Sequence, residues 1–288
     1  MFEPTASTRG IVDPGAARFD LVRLDPAPDL ADVVERHWVI RWDLPPGEEF
    51  TQVVIPHPNA NLVAEPDGVF AAHGIPPGLF ARTLRGQGAV VGTKLRPGGL
   101  RLLLDRPDAV RRGVVLPAPA VLGAEDEAVA AAGAAAVAAA RAGDDAAAVA
   151  AVTPLLRVAA ARRRTPAASR ATRRIGHVLA ATVGGALGPH ATVPDLAALA
   201  GTSTRSLQRL FARWVGVSPA WVLRRHRVHL AADLLAADPA RGLAELATSV
   251  GYYDQAHFTD DFSRVVGTPP GSFARRCARP AEGALARA

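Results

Sequence analysis

The sequence predicts an α+β chain: a β-rich N-terminal domain shaped as a small barrel or sandwich, an alanine-rich helical connector, and an all-α C-terminal domain. Three observations carry this expectation. Residues 21–122 hold short apolar runs bounded by proline and glycine, residues 123–166 place 20 alanines in 44 positions, and residues 167–279 repeat apolar side chains at helical spacing. A chain of 288 residues is long enough for two domains, at ~100–200 residues each.

Residues 1–20 carry Glu3 and Asp13 among Gly10, Pro14 and Gly15, with no basic-then-apolar leader pattern. They read as a disordered start to a cytoplasmic protein. In residues 21–122 the runs Trp38–Trp42, Gln52–Ile55, Asn61–Val63, Ala89–Gly92 and Leu100–Leu104 have strand length and turn-residue borders. Leu30–Glu35 reads as a short helix.

Residues 123–166 combine the best helix former with a break at Gly143-Asp144-Asp145, where an aspartate can cap a second helix. Two helices are expected, loosely held because alanine offers little to pack. Arg162–Pro166 reads as a linker. Residues 167–279 then show Ile175, Val178 and Leu179, Leu207, Leu210, Phe211 and Trp214, and Phe258, Phe262, Val265 and Val266 at helical intervals. Residues 280–288 form a tail.

Composition narrows the class. No apolar run reaches the roughly 18–20 residues of a membrane span, and mean hydropathy is +0.12. A single cysteine, Cys277, rules out an internal disulfide or a multi-cysteine zinc site. The net charge of +6 is unevenly distributed. Residues 167–288 hold 15 arginines against 8 carboxylates, whereas residues 1–166 hold 18 basic against 19 acidic residues. A one-sided basic excess suits a polyanionic partner, although a solvated arginine-rich surface has the same signature.

An internal duplication gives that charge a context. Pro194 and Asp195 suit a helix start, Gly201 a helix end, and Ser203 the cap of a helix over Thr204–Trp214 that closes at Gly216. Fifty residues on, Leu243–Val250, Gly251, the Asp254 cap and a helix to Val266 that closes at Gly267 repeat the plan. Each unit is a helix-turn-helix. Ala220–Ala237 between them suffices for one helix of roughly 25 Å.

Residues 170–279 resemble the DNA-binding domain of AraC-type (AraC/XylS) transcription regulators. The resemblance rests on Leu207-Gln208-Arg209-Leu210-Phe211, Gly216-Val217-Ser218-Pro219, Arg227 with Leu234-Leu235, Gly251 to Phe258, and Gly267-Thr268-Pro269. It implies seven helices and a regulator without catalysis or cofactor. The partners it implies are promoter or operator duplex DNA, a small-molecule effector, RNA polymerase and a second copy of the chain. Residues 21–122, with Arg36-His37-Trp38, Pro56–Asn59 and Gly92–Gly99, resemble an uncharacterised N-terminal domain attached to some AraC-type regulators, of the sort that senses effectors or dimerises.

On the first unit the groove-facing positions of the family map onto Arg205, Gln208 and Arg209, with Thr204 and Arg213 on the same outward face. Arginine can pair with guanine and glutamine with adenine in the major groove. On the second unit the matching positions are Gln255, Ala256 and Thr259, with Asp260 beside them. Family members often carry a basic residue where Asp260 stands, and Asp260 with Asp261 would place two negative charges beside DNA.

Other classes leave few traces. An enzymatic or metal-binding β domain would draw on His57 and His73, but these lack the neighbouring His-x-His and glutamate that such a site supplies. Gly98-Gly99 and Gly184-Gly185 are turns rather than nucleotide fingerprints. His257 reads as structural and Cys277 as incidental. A DNA binder that answers to no ligand is the third class.

Overall fold

The computed structural model describes residues 18–76, 78–104 and 112–278. Most of the expected disordered start and the whole of the tail therefore lie outside the described residues. The N-terminal part is built on a six-stranded antiparallel sheet in the order β1-β2-β7-β4-β5-β8. Its strands are β1 (Asp20–Leu24), β2 (Val34–Asp43), β4 (Asn61–Ala64), β5 (Phe70–His73), β7 (Gln87–Leu95) and β8 (Val115–Pro117). A two-stranded ribbon, β3 (Glu49–Val54) with β6 (Phe80–Arg85), is separate. The sheets do not close, so the sandwich alternative holds and the barrel does not.

Alternation along β2 explains the layering. Val39 faces one side with Ala89 and Val91, while Ile40 and Trp42 face the other, towards Phe50 and Leu84 of the ribbon. Trp38 and Trp42 lie across from Gly92 and Gly88 on β7. A Cβ at Gly92 would sit 1.9 Å from the Trp38 ring, so the indole can pack only because glycine stands there.

The stretch read as a helix over Leu30–Glu35 is instead a short 3-10 turn, Pro28–Leu30, and β2 already begins at Val34. Pairing with β7, through a bulge between Val34 and Arg36, outweighs the local helical pattern.

The helices α1 (Gly99–Leu103), α2 (Ala118–Leu122), α3 (Asp126–Arg141) and α4 (Asp145–Arg163) complete the N-terminal core. Contrary to the expectation of a loose pair, Ala136, Ala140, Ala148, Ala159 and Ala160 are buried in that core. Small side chains allow close backbone approach. Arg41 on β2 ties the two helices together through the Ala140 carbonyl and the Asp145 carboxylate. The linker shrinks to Arg164 and Thr165, because α5 begins at Pro166 with Thr165 as its cap.

Seven helices make up the described C-terminal part: α5 (Pro166–Val183), α6 (Val193–Leu199), α7 (Thr204–Trp214), α8 (Pro219–Ala237), α9 (Leu243–Ser249), α10 (Gln255–Val266) and α11 (Pro270–Cys277). They enclose two cores. One lies around Ile175, Leu196, Leu207 and Phe211, the other around Val228, Leu246, Phe258, Phe262 and Phe273. Each core also takes in a residue of the β domain, Ile75 in the first and Ile55 in the second. Among the described residues, no helix is long and apolar enough to cross a membrane.

Candidate nucleic-acid interface

Local chemistry builds both helix-turn-helix units. In the first, α6 opens with a reciprocal capping box between Thr192 and Asp195. Gly201, at φ +58°, ends it, and the Ser203 hydroxyl accepts the Ser206 amide at 3.2 Å to start α7. In the second, α9 leads to Gly251 at φ +92°. The Asp254 carboxylate then accepts the His257 amide at 2.7 Å, and α10 runs to Gly267.

On α7, Leu207 and Phe211 are fully buried and Leu210 and Trp214 half-buried, so the helix is pinned by one stripe. Arg205, Gln208, Arg209 and Arg213 are exposed on the remaining surface, and Thr204 is half-buried. No carboxylate pairs with these three arginines among the described residues. Arg209 donates only to the Ser206 hydroxyl, at 3.3 Å. On α10, Gln255, Ala256 and Asp260 are exposed and Thr259 is half-buried, against Phe258, Phe262 and Val265 in the core.

Asp261 departs from its expected place. It does not face outward beside Asp260; its side chain is 3% exposed. It receives Arg264 at 2.8 Å from the same helix and Arg224 of α8 at 3.2 Å. The Tyr252 hydroxyl lies 3.4 Å away and His257 Nε2 3.6 Å away. Burial, with the Asp261 carboxylate beside it, raises the Tyr252 phenol well above its usual range. Spacing could have revealed this position, because 261 falls on the same helical stripe as 258, 262 and 265. Arg264 also reaches Asp260, at 3.5 Å, so the exposed carboxylate has a partner.

The two units are clamped by α8. Arg227 donates to the carbonyls of Pro189 at 3.2 Å and Ala191 at 2.8 Å, in the loop leading into the first unit. The turn of the second unit touches the same loop, and a Cβ on Gly251 would lie 2.0 Å from the Pro189 carbonyl oxygen. Glycine at that turn thus meets two demands, positive φ and close approach. From the sequence Arg227 stands out only as a family landmark, and nothing local marks Arg224, whose partner Asp261 lies on another helix.

The histidines weighed as metal ligands go elsewhere. His57 stacks on His229 of α8 with ring centroids 4.3 Å apart, and His73 sits on β5. His257 has its ring exposed and edge-on to Tyr252. Among the described residues, no three histidine, cysteine, aspartate or glutamate side chains gather in a group that could hold a metal ion. Cys277 is half-buried at the border of the second core.

Comparison with known proteins agrees with this architecture in two segments. Residues 196–276 match the family model of a helix-turn-helix domain, and residues 22–112 that of a domain of unknown function (DUF6597). An AraC-like transcription regulator of Streptomyces lividans is 39% identical over 89 residues, covering 31% of this chain and 29% of the relative. The HTH-type transcriptional regulator GlxA of Rhizobium meliloti (strain 1021) is 37% identical over 81 residues, covering 28% of this chain and 25% of the relative. The chain thus spans under a third of the length of these curated relatives. A crystallised Chromobacterium violaceum regulator with an AraC-type DNA-binding domain is 20% identical, at a TM-score of 0.34. That match covers 38% of this chain and 95% of the other.

Proposed function

We propose that this chain, whose C-terminal part is an AraC-type double helix-turn-helix domain, is a sequence-specific transcription regulator of promoter DNA. The observation that carries the reading is the outward surface of α7. Arg205, Arg209 and Arg213 stand exposed and, among the described residues, without carboxylate partners on a helix whose other stripe is locked in the core. Free guanidinium groups on a rigid, capped helix suit the major groove. Arg205, Gln208 and Arg209 would read base edges, with Thr204 and Arg213 nearer the phosphates. In the second unit Gln255, Ala256 and Thr259 would face the groove, with Asp260 at its margin.

The β domain is the sensing part in this reading. Its Ile55 and Ile75 lie in the cores of the two units, so a ligand or a second copy of the chain bound there could alter how α7 and α10 engage DNA. The output would be changed access or recruitment of RNA polymerase, in the cytoplasm.

Genome-wide mapping of bound sites with the full chain supplies candidate cognate duplexes. Fluorescence anisotropy then compares cognate with scrambled duplexes across a salt series. The expected result is tighter binding to the cognate duplex and a linear fall of log affinity with log salt, from counterion release. Binding indifferent to both sequence and salt would overturn the proposal.

A further inference from the structure

The two reading units meet where the turn before α10 touches the loop before α6. Arg227 holds both sides of this seam. It donates to the carbonyls of Pro189 and Ala191, and its guanidinium lies 5.9 Å from the Tyr252 ring. Tyr252 is 3% exposed, in the second core. The next residue goes the other way. Tyr253 is 92% exposed, and its ring centroid lies 6.1 Å from that of His190, which is itself exposed in the loop before α6. Among the described residues, neither the Tyr253 hydroxyl nor the His190 imidazole has a hydrogen-bond partner in the protein.

A single exposed aromatic is ordinary on a protein surface. The position of this one is not. In a helix-turn-helix the second helix enters the major groove by its N-terminal residues, and the first helix crosses the sugar-phosphate backbone. Tyr253 directly precedes Asp254, the cap of α10, and His190 lies just before Thr192, the cap of α6. The pair therefore joins the groove-entering end of the second unit to the backbone-crossing end of the first. A protein that reads two successive major grooves from one face must pass over the minor groove between them and the strands that border it.

We propose that Tyr253 and His190 form a clamp on the sugar-phosphate backbone between the grooves that α7 and α10 read. The chemistry suits that partner. A phenol hydroxyl and an imidazole N–H both donate to phosphate oxygens, and contacts of this kind position a protein on a duplex without reading its sequence. The apolar body of the tyrosine ring can lie against deoxyribose while its polar tip reaches the phosphate. The seam is also rigid. Gly251 takes φ +92° against the Pro189 carbonyl, and Arg227 pins the facing loop, so binding need not order either segment. Because one residue comes from each unit, the clamp would fix how far apart α7 and α10 sit on the duplex. This assignment rests on the reading of the chain as a double helix-turn-helix regulator, and both residues lie outside the base-reading sets of α7 and α10.

Anisotropy titrations of the full chain on cognate and scrambled duplexes test it. Tyr253→Ala should weaken both duplexes by the same factor, about 5–10-fold. Tyr253→Phe, which loses only the hydroxyl, should weaken both by about 3–5-fold, as should His190→Ala. Melting temperatures should match the parent, because both side chains are exposed. The salt slope of the Tyr253 variants should also match, since a neutral phenol displaces no counterion. Cognate duplexes that each carry one neutral methylphosphonate between the two grooves then locate the contact. At one position the parent should lose affinity and Tyr253→Phe should lose no more. Parent-like affinity in both Tyr253 variants, a loss confined to the cognate duplex, or an undiminished further loss of Tyr253→Phe at every methylphosphonate overturns the clamp. Parent-like DNA binding with reduced transcription in vitro overturns it in favour of a protein partner. The parent chain separates the two proposals. Salt-dependent, sequence-selective binding with inert Tyr253 variants removes the clamp and leaves the regulator. A parent indifferent to sequence and salt, whose Tyr253 variants nonetheless bind more weakly, does the reverse.

Discussion

The two recognition helices share one plan and differ in what their charges do. In α7 the arginines are exposed and, among the described residues, pair with no carboxylate; Arg209 reaches only the Ser206 hydroxyl of its own helix. In α10 the charges are engaged within the protein: Arg264 holds both Asp260 and Asp261, and Asp261 also takes Arg224 from the linking helix. A duplicated motif can therefore divide its labour. In the proposed reading one copy keeps its cations for a polyanion, while the other uses ion pairs to fix its own position. The β domain accentuates the difference, because Val53 and Leu79 from the ribbon region join Ile55 against the second core.

The largest expected effect tests whether the second unit depends on the β domain. Ile55 is 1% exposed within that core, so Ile55→Ala should cost about 2–5 kcal/mol, as large-to-small core changes do. Urea unfolding gives the total, and hydrogen exchange in α10 and α11 locates it. Unchanged exchange there would mean the unit stands alone.

Next comes Asp261→Asn, which keeps shape and removes the charge shared by Arg224 and Arg264. We expect a loss of about 1–3 kcal/mol, below that of a fully buried pair because both arginines are at least half exposed. A neutral result would remove the internal-wiring account of α10.

On the DNA side, Arg209→Ala should weaken the cognate complex by about 1–3 kcal/mol and relax one base position. Gln255→Ala should cost less than about 1 kcal/mol. Equal losses in the anisotropy assay would erase the asymmetry between the helices.

The smallest effect belongs to Asp260→Asn. Its pair with Arg264 is exposed, so stability should change by less than about 0.5 kcal/mol. Releasing Arg264 for a phosphate should strengthen binding to cognate and scrambled DNA alike and steepen the salt slope by about one. Loss at the cognate duplex alone would instead assign Asp260 to a cytosine.

What could be read from sequence was whatever depends on neighbours along the chain. Ser203, Asp254, Gly201, Gly251 and Gly267 mark the helix starts and stops of both units, because capping and positive φ are settled within a turn of backbone. The outward faces of α7 and α10 followed from periodicity for the same reason. Leu30–Glu35 misled because strand pairing with β7, some 60 residues away, overrode a local pattern.

Tertiary structure alone decided the pairings that span long stretches of chain. Helical spacing puts Asp261 on the buried stripe of α10, but its partner Arg224, on another helix at 3.2 Å, is set only by how α8 and α10 pack. Alanine-rich helices that seemed poor in packing surface became core, α3 by lying on the sheet and α4 by packing on α3. Arg225 and His229 could be placed on one helix face from their spacing, but not beneath the loops of a domain more than 100 residues earlier. Burial and ion pairing depend on which distant segments meet, and that follows from how the sheet, the helices and their cores pack together rather than from any local run of residues.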